Sequence, residues 1–147
     1  MNYWNKTSIP HKGWINMGSV DLEEATHVCH MCGKEEIRYV HIMYHPEVDN
    51  YFQVGCVCAE KMTNDYVTAK HQLTEMKKKT VWISRNWKKL DMHEYEEKSF
   101  NSKYGKMIVG IFRVDDHYRY HIDDMLLKAQ FTSKQEVKKY VYERWVI

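Results

Sequence analysis

The stretches Cys29-His30-Met31-Cys32-Gly33 and Val54-Gly55-Cys56-Val57-Cys58 contain all four cysteines of the 147-residue chain. Two closely spaced pairs can supply four corners of a tetrahedron, the arrangement in which zinc binds thiolate and imidazole ligands. Gly33 permits the tight turn that follows the first pair. The spacing therefore predicts one Zn²⁺ ion bound by Cys29, Cys32, Cys56 and Cys58.

Four histidines lie near or between these pairs: His27, His30, His41 and His45. Any of them could replace a cysteine as a ligand, because C-x-C needs a sharper bend than C-x-x-C. Histidines beside zinc sites more often hydrogen-bond to the ligands or lie on the surface than bind the metal themselves. Ligation by four cysteines therefore remains the prediction.

The segment between the pairs predicts a β-hairpin followed by a helix. Residues 36–44 are rich in β-branched and aromatic side chains, residues 45–50 are typical of a turn, and residues 51–54 form a return strand. Helical sequence begins at about Ala59, where the positive end of a helix dipole would stabilise thiolates. Residues 26–70 thus resemble a treble-clef zinc finger, and the predicted fold class is α+β.

Apolar residues recur at steps of four and three from Met62 to Leu90, which predicts one long amphipathic helix. The apolar positions are Met62, Tyr66, Ala69, Leu73, Met76, Thr80, Ile83, Trp87 and Leu90. They could pack on the rest of the chain or form a homodimer. Val81 and Trp82 lie off this stripe, which favours packing within the chain, and the β-branched residues over 80–83 favour a break there.

Residues 61–90 carry eight basic and two acidic residues, although the whole chain has a net charge of only +2. Most of these bases would share one face of the predicted helix, which indicates a partner with many negative charges. Arg113 and Arg119 alternate with aromatic residues on a later predicted strand pair, a pattern suited to single strands. The predicted nucleic-acid contacts are Lys70, Lys77, Lys78, Lys79, Arg85, Lys88, Lys89, Arg113 and Arg119.

The C-terminal third predicts a small β-β-α unit. Residues 106–114 and 118–122 are typical of paired strands, and residues 126–131 could add a third. Ser133 and Glu136 form a capping-box pattern ahead of helical spacing. The predicted organisation is a zinc-finger region over 1–90, a linker over 91–105 and this unit over 106–147.

Composition favours a folded protein of the cytoplasm. Hydrophobic residues make up 44% of the chain, enough for a packed core. No stretch approaches the roughly 18 uncharged apolar residues of a membrane span, and residues 1–10 do not have the pattern of a secretory signal. Without a secretory signal, close cysteine pairs indicate a metal site rather than disulfides.

The runs over residues 37–43 and 54–66 resemble a family of small bacterial and phage proteins that has no settled function. The most distinctive part is Gly55-Cys56-Val57-Cys58-Ala59-Glu60-Lys61-Met62. The resemblance extends over most of the chain, including Gly13-Trp14. It implies the metal site and the order of elements, but it implies no activity.

A looser resemblance connects the finger to HNH-type nucleases, which also use a treble clef. It implies a catalytic role for His41 and Asn50, in which His41 would activate water beside a divalent metal ion. Two expected metal ligands are missing, because Val40 precedes His41 and Ala59 follows Cys58.

The sequence therefore predicts a non-enzymatic zinc-binding protein that binds nucleic acid through a basic helix face. One alternative is a phage or mobile-element protein that binds and inhibits a host defence enzyme. A second alternative is an HNH-like, metal-dependent nuclease.

Overall fold

The computed structural model describes residues 2–146. The chain divides between Lys77 and Lys78 into two compact units, which we call the cysteine unit and the sheet unit. Within the described residues, two antiparallel sheets and three α-helices make a mixed α+β protein, as the sequence predicts. None of the helices in this range has the length and apolar character needed to cross a bilayer.

The cysteine unit contains a three-stranded antiparallel sheet in the order β1-β2-β3. The predicted hairpin is confirmed, whereas β1 has no counterpart in the sequence prediction. The chain then enters α1, and α2 begins in this unit. Their bounds are β1 Ile15–Asp21, β2 Tyr39–Tyr44, β3 Phe52–Val54, α1 Cys56–Thr63 and α2 Thr68–Ser84.

The core of the cysteine unit combines apolar side chains with two of the cysteines. Met43, Val54 and Met62 are fully buried, and Cys29 and Cys58 belong to the same cluster. Burial of each large apolar side chain contributes about 1.5–3 kcal/mol. The cysteines are therefore positioned by the packed interior and not by a surface loop alone.

The predicted long helix from Met62 to Leu90 is wrong, because the chain forms two helices and leaves the second at Ser84. Asn64 ends α1 in the left-handed conformation with φ 54°. Asp65 then accepts hydrogen bonds from the amides of Val67 (2.9 Å) and Thr68 (3.1 Å), so it satisfies donors at the start of α2. Asn64 therefore ends one helix and Asp65 caps the next. The periodic spacing of apolar residues gives no sign of this break.

The sheet unit contains a five-stranded antiparallel sheet in the order β4-β5-β6-β7-β8, followed by α3 and a π-helical turn over Tyr142–Val146. The predicted hairpin and C-terminal helix are present. Residues 91–105, predicted as a linker, instead contain the strand β5. The bounds are β4 Lys88–Lys89, β5 Glu96–Ser102, β6 Gly105–Val114, β7 His117–Ile122, β8 Met125–Leu126 and α3 Lys134–Val141.

One face of this sheet packs against α3. Ile111 and Tyr120 from the sheet meet Val137 and Val141 from the helix, and all four are at most 1% exposed. Ser133 caps α3 as predicted, because its hydroxyl accepts a hydrogen bond from the Glu136 amide at 3.2 Å. The sheet unit thus has an extended apolar core that contains no cysteine.

Candidate metal centre

A tight turn places Cys29 and Cys32 side by side. The amide of Gly33 donates to the carbonyl of Cys29 at 2.9 Å, and the Cys29 amide donates to the carbonyl of Lys34 at 2.8 Å. Gly33 adopts φ +80°, a conformation that glycine reaches without steric cost. The backbone therefore fixes the spacing of the first cysteine pair, as the sequence predicts.

The first turn of α1 contributes Cys58 to this pair. The sulfur atoms of Cys29, Cys32 and Cys58 all lie within 4.8 Å of one another, so these three residues could hold a metal ion. Cys29 and Cys58 are buried, and Cys32 is half-buried. Thiolate sulfur suits soft and borderline metals such as zinc.

The predicted fourth ligand, Cys56, lies outside this group. Its thiol donates instead to the Oε1 atom of Glu60, one helical turn later, at 3.4 Å. An α-helix rotates by about 100° per residue, so side chains two positions apart point in nearly opposite directions. Because α1 begins at Cys56, both cysteines of the C-x-C pair cannot face the same point.

The environments of these thiols differ. A hydrogen bond from Cys58 and bonds from backbone amides lower the pKa of Cys29, against the opposing effect of burial. The same Cys29–Cys58 hydrogen bond, together with burial, raises the pKa of Cys58. The indole of Trp4 also donates to the Cys58 sulfur at 3.4 Å. The sulfur atoms of Cys29 and Cys58 therefore interact directly, and binding of a metal ion there would release thiol protons.

Glu60 and two lysines determine the electrostatic environment of Cys56. Burial, followed by the hydrogen bond and the negative charge of Glu60, raises the pKa of Cys56 to about 11, whereas the charges of Lys70 and Lys77 lower it.

A cavity of about 370 Å³ opens beside the three cysteines. Its wall contains cationic side chains from three places in the cysteine unit, namely Lys34 after the tight turn, Arg38 before β2 and Lys77 on α2. Arg38 is also paired with Asp21, with a nitrogen–oxygen distance of 2.8 Å. The sequence prediction missed Lys34, Arg38 and Trp4 as neighbours of the site, although the position of Lys34 directly after the first cysteine pair is a usable signal.

The neighbouring histidines are engaged with the protein itself. The Gln53 amide donates to Nδ1 of His30 at 2.9 Å, and Nε2 of His27 donates to the Gln53 carbonyl at 3.0 Å. Of residues 2–146, no histidine joins the three-cysteine group. Replacement of a cysteine by one of these histidines therefore has no geometric support.

His41 is fully buried on β2. Its Nδ1 atom donates to Oε1 of Gln72 at 2.8 Å, and its Nε2 atom has no hydrogen-bond partner in the described part of the chain. Burial lowers the pKa of His41. Asn50, the second residue of the nuclease hypothesis, is exposed and lies beside His27 and His30 at another cavity. A buried imidazole cannot contact a phosphate on the protein surface without rearrangement.

Three of the predicted nucleic-acid contacts have partners within the sheet unit. Lys79 forms an ion pair with Glu143. Arg113 pairs with Glu94 at 3.0 Å, and Arg119 donates to the carbonyl of Leu127 at 2.8 Å. These three cations are already engaged in intramolecular contacts.

The remaining predicted contacts do not form one helix face. Arg85 lies just beyond the end of α2, and Lys88 and Lys89 lie on β4 opposite Glu97 and Glu96. The exposed lysines on α2 are Lys70, Lys77 and Lys78, of which the first two belong to the cysteine unit.

Comparisons of the chain with protein-family models, with curated proteins and with solved structures found no match.

Proposed function

We propose that the protein is a non-enzymatic zinc-binding protein that binds nucleic acid through the cysteine unit. Cys29, Cys32 and Cys58 would hold Zn²⁺ in a treble-clef arrangement, in which a tight turn and the start of a helix supply the ligands. Sulfur atoms around a tetrahedral zinc ion lie about 3.8 Å apart, given zinc–sulfur distances near 2.3 Å. The observed limit of 4.8 Å is compatible with this spacing after a small adjustment.

The cations beside the cysteines are the observation that supports a nucleic-acid partner. Lys34 and Lys77 line the same cavity, and the charges of Lys70 and Lys77 both act on Cys56 at the first turn of α1. Lys70 and Lys77 are two turns apart on α2, so they share one side of that helix. Lys34, Lys70 and Lys77 therefore define a basic surface, in which the exposed Glu36 of the same cavity offsets one charge, and a net positive surface suits a phosphate backbone.

The proposal includes no catalytic activity because the side chain of His41 is buried. Hydrolysis by a metal-bound water needs a base within hydrogen-bonding reach of that water. His41 was the predicted base, and its side chain is buried with Nδ1 bonded to Gln72. We therefore expect plasmid DNA to remain intact when it is incubated with the protein and Mg²⁺ or Mn²⁺. Cleavage that the His41→Ala variant loses would contradict the non-enzymatic proposal.

Salt dependence of binding to a fluorescein-labelled duplex tests the nucleic-acid proposal. Each phosphate contact contributes about −0.9 to the slope of log affinity against log salt, so three cations predict a slope of about −2.7. The double variant Lys70→Glu/Lys77→Glu should reduce the magnitude of that slope by about 2.

The matched control is Lys61→Glu, which reverses an exposed lysine of α1 that does not line the cavity. This control should bind within about twofold of the wild-type affinity. An unchanged slope in the double variant, an equal loss in the control, or no duplex binding at low salt would each contradict the proposal. The last result would leave the protein-inhibitor alternative as the stronger one.

A further inference from the structure

The sheet unit has a groove where the β5–β6 turn meets the end of the C-terminal helix. This groove has a volume of about 570 Å³, within the range of small-ligand sites. Aromatic and charged side chains from both elements form its walls. They are Lys103, Tyr104, Tyr140, Glu143, Arg144 and Trp145.

Hydrogen bonds hold the two sides of the groove together. The Lys103 amide donates to the carbonyl of Trp145 at 3.2 Å, which ties the turn to the helix end. Within the turn, the Ser102 hydroxyl accepts from the Tyr104 amide at 2.9 Å and donates to the Gly105 carbonyl at 2.7 Å. The turn is therefore shaped before any ligand arrives, which reduces the entropic cost of binding.

Two aromatic rings of the groove lie near each other. The centroids of Tyr104 and Trp145 are 6.1 Å apart, and the ring planes meet at 73°. Tyr104 is 69% exposed, so its ring is accessible to a ligand. Trp145 belongs to the π-helical turn over Tyr142–Val146, and such turns are rare and frequent at functional sites. The Lys103 ammonium lies over the Tyr104 ring, 5.8 Å from its centroid, so a flat ligand stacked on this exposed ring would lie close to a cation.

The described wall of the groove carries two cations and one carboxylate. Among residues 2–146, that carboxylate belongs to Glu143, which pairs with Lys79 outside the groove. Lys103 and Arg144 are exposed at the same groove. Aromatic rings beside these two cations match a ligand that carries both a planar ring and a phosphate.

We propose that this groove binds a nucleotide of a single-stranded nucleic acid, with the base stacked on Tyr104 and the phosphate beside Lys103 and Arg144. A duplex hides the faces of its bases, so this groove selects single strands. The inference rests on the proposed function for the class of partner, nucleic acid. It assigns a second site, in the sheet unit, which prefers single strands to a duplex.

Binding of fluorescein-labelled oligo-dT and oligo-rU of 12 nucleotides tests the groove, with an abasic oligonucleotide of equal length as a probe without rings. Tyr104→Ala should weaken binding of the base-containing strands about tenfold, because stacking on one aromatic residue has an effect of that order. Tyr104→Phe should restore binding to within about twofold, since it keeps the ring. The abasic strand should bind more weakly than oligo-dT and should not respond to Tyr104→Ala.

Tyr66→Ala is the matched control, because Tyr66 is a 51% exposed tyrosine of the cysteine unit. It should leave single-strand binding unchanged. Equal binding of abasic and base-containing strands, wild-type affinity in Tyr104→Ala, or an equal loss in Tyr66→Ala would overturn the inference. Loss of duplex binding in Lys70→Glu/Lys77→Glu, with single-strand binding retained, would separate this site from the proposed function.

Discussion

The buried cores of the two units differ in their residue types. In the cysteine unit, Cys29 and Cys58 lie within the core, and the sheet ends in a strand of only three residues, Phe52–Val54. In the sheet unit, β6 has ten residues and packs with α3 around a cluster that contains no cysteine. Where a metal ion joins residues of a core, the free energy of metal binding adds to the free energy of folding. We therefore expect the stability of the cysteine unit to depend on a bound metal ion, and that of the sheet unit to depend on apolar packing.

Removal of a bound metal ion should produce the largest difference in stability between the two units. Structural zinc contributes roughly 10–16 kcal/mol in small finger peptides, more than the usual total stability of a domain. We expect 1,10-phenanthroline to abolish amide-exchange protection in residues 15–63 and to leave protection in residues 96–141 nearly unchanged, as measured by hydrogen-exchange mass spectrometry. Retained protection in residues 15–63 of verified metal-free protein would refute the difference between the units.

A buried ionic cluster in the sheet unit offers the next largest effect. Glu96 is 4% exposed and accepts hydrogen bonds from Lys134 and Lys138, each at 2.9 Å. Glu96→Gln removes the carboxylate that both ammonium groups share and leaves Lys134 only the more distant Glu94, at 3.7 Å. We therefore expect a loss of about 3 kcal/mol in the free energy of unfolding. Urea denaturation followed by tryptophan fluorescence measures this. Glu97→Gln, the half-buried neighbour on the same strand, is the control and should cost less than about 1 kcal/mol.

The same cluster predicts how stability depends on pH. Burial raises the pKa of Glu96, but the bonds from Lys134 and Lys138 outweigh it and lower the pKa overall. A lowered folded-state pKa gives stability that is present above the unfolded-state value of about 4.3 and lost as pH falls through the folded-state pKa. Glu96→Gln should therefore flatten the acid limb of the stability curve below about pH 4.3. An unchanged limb would show that other carboxylates dominate.

Helix capping in the sheet unit gives a smaller effect. Ser133→Ala removes the acceptor for the Glu136 amide and should cost about 1 kcal/mol. Ser133→Asp keeps an acceptor and should restore most of that loss. If thermal unfolding of Ser133→Ala matches the wild type, the observed cap does not contribute to stability.

Local sequence patterns predicted much of this fold. The β2–β3 hairpin, the β6–β7 pair and the Ser133 cap follow from periodicity and turn chemistry within short windows. The break between α1 and α2 was missed because counting apolar positions gave no weight to Asn64 and Asp65. The partners of the basic residues were missed for another reason. Lys79 and Glu143 are 64 positions apart, and such pairs depend on tertiary folding.

The sequence predicted that cysteines form the candidate site, but it predicted only part of their arrangement. Cys29 and Cys32 follow from a C-x-x-C turn, whose shape is local. The choice between Cys56 and Cys58 depends on where α1 begins, because a shift of one residue rotates every side chain by about 100°. The sequence placed the helix start near Ala59, whereas the structure places it at Cys56. With that start, Cys58 lies with the first pair and Cys56 lies outside the group.

Metal stoichiometry of single cysteine variants tests the three-cysteine centre most directly. Native mass spectrometry should find one zinc ion per chain in the wild type and in Cys56→Ser, and none in Cys58→Ser. Both variants replace sulfur by a hydroxyl of similar size, and circular dichroism of the Cys56→Ser protein should match the wild type. Loss of zinc from Cys56→Ser, or its retention in Cys58→Ser, would contradict the account.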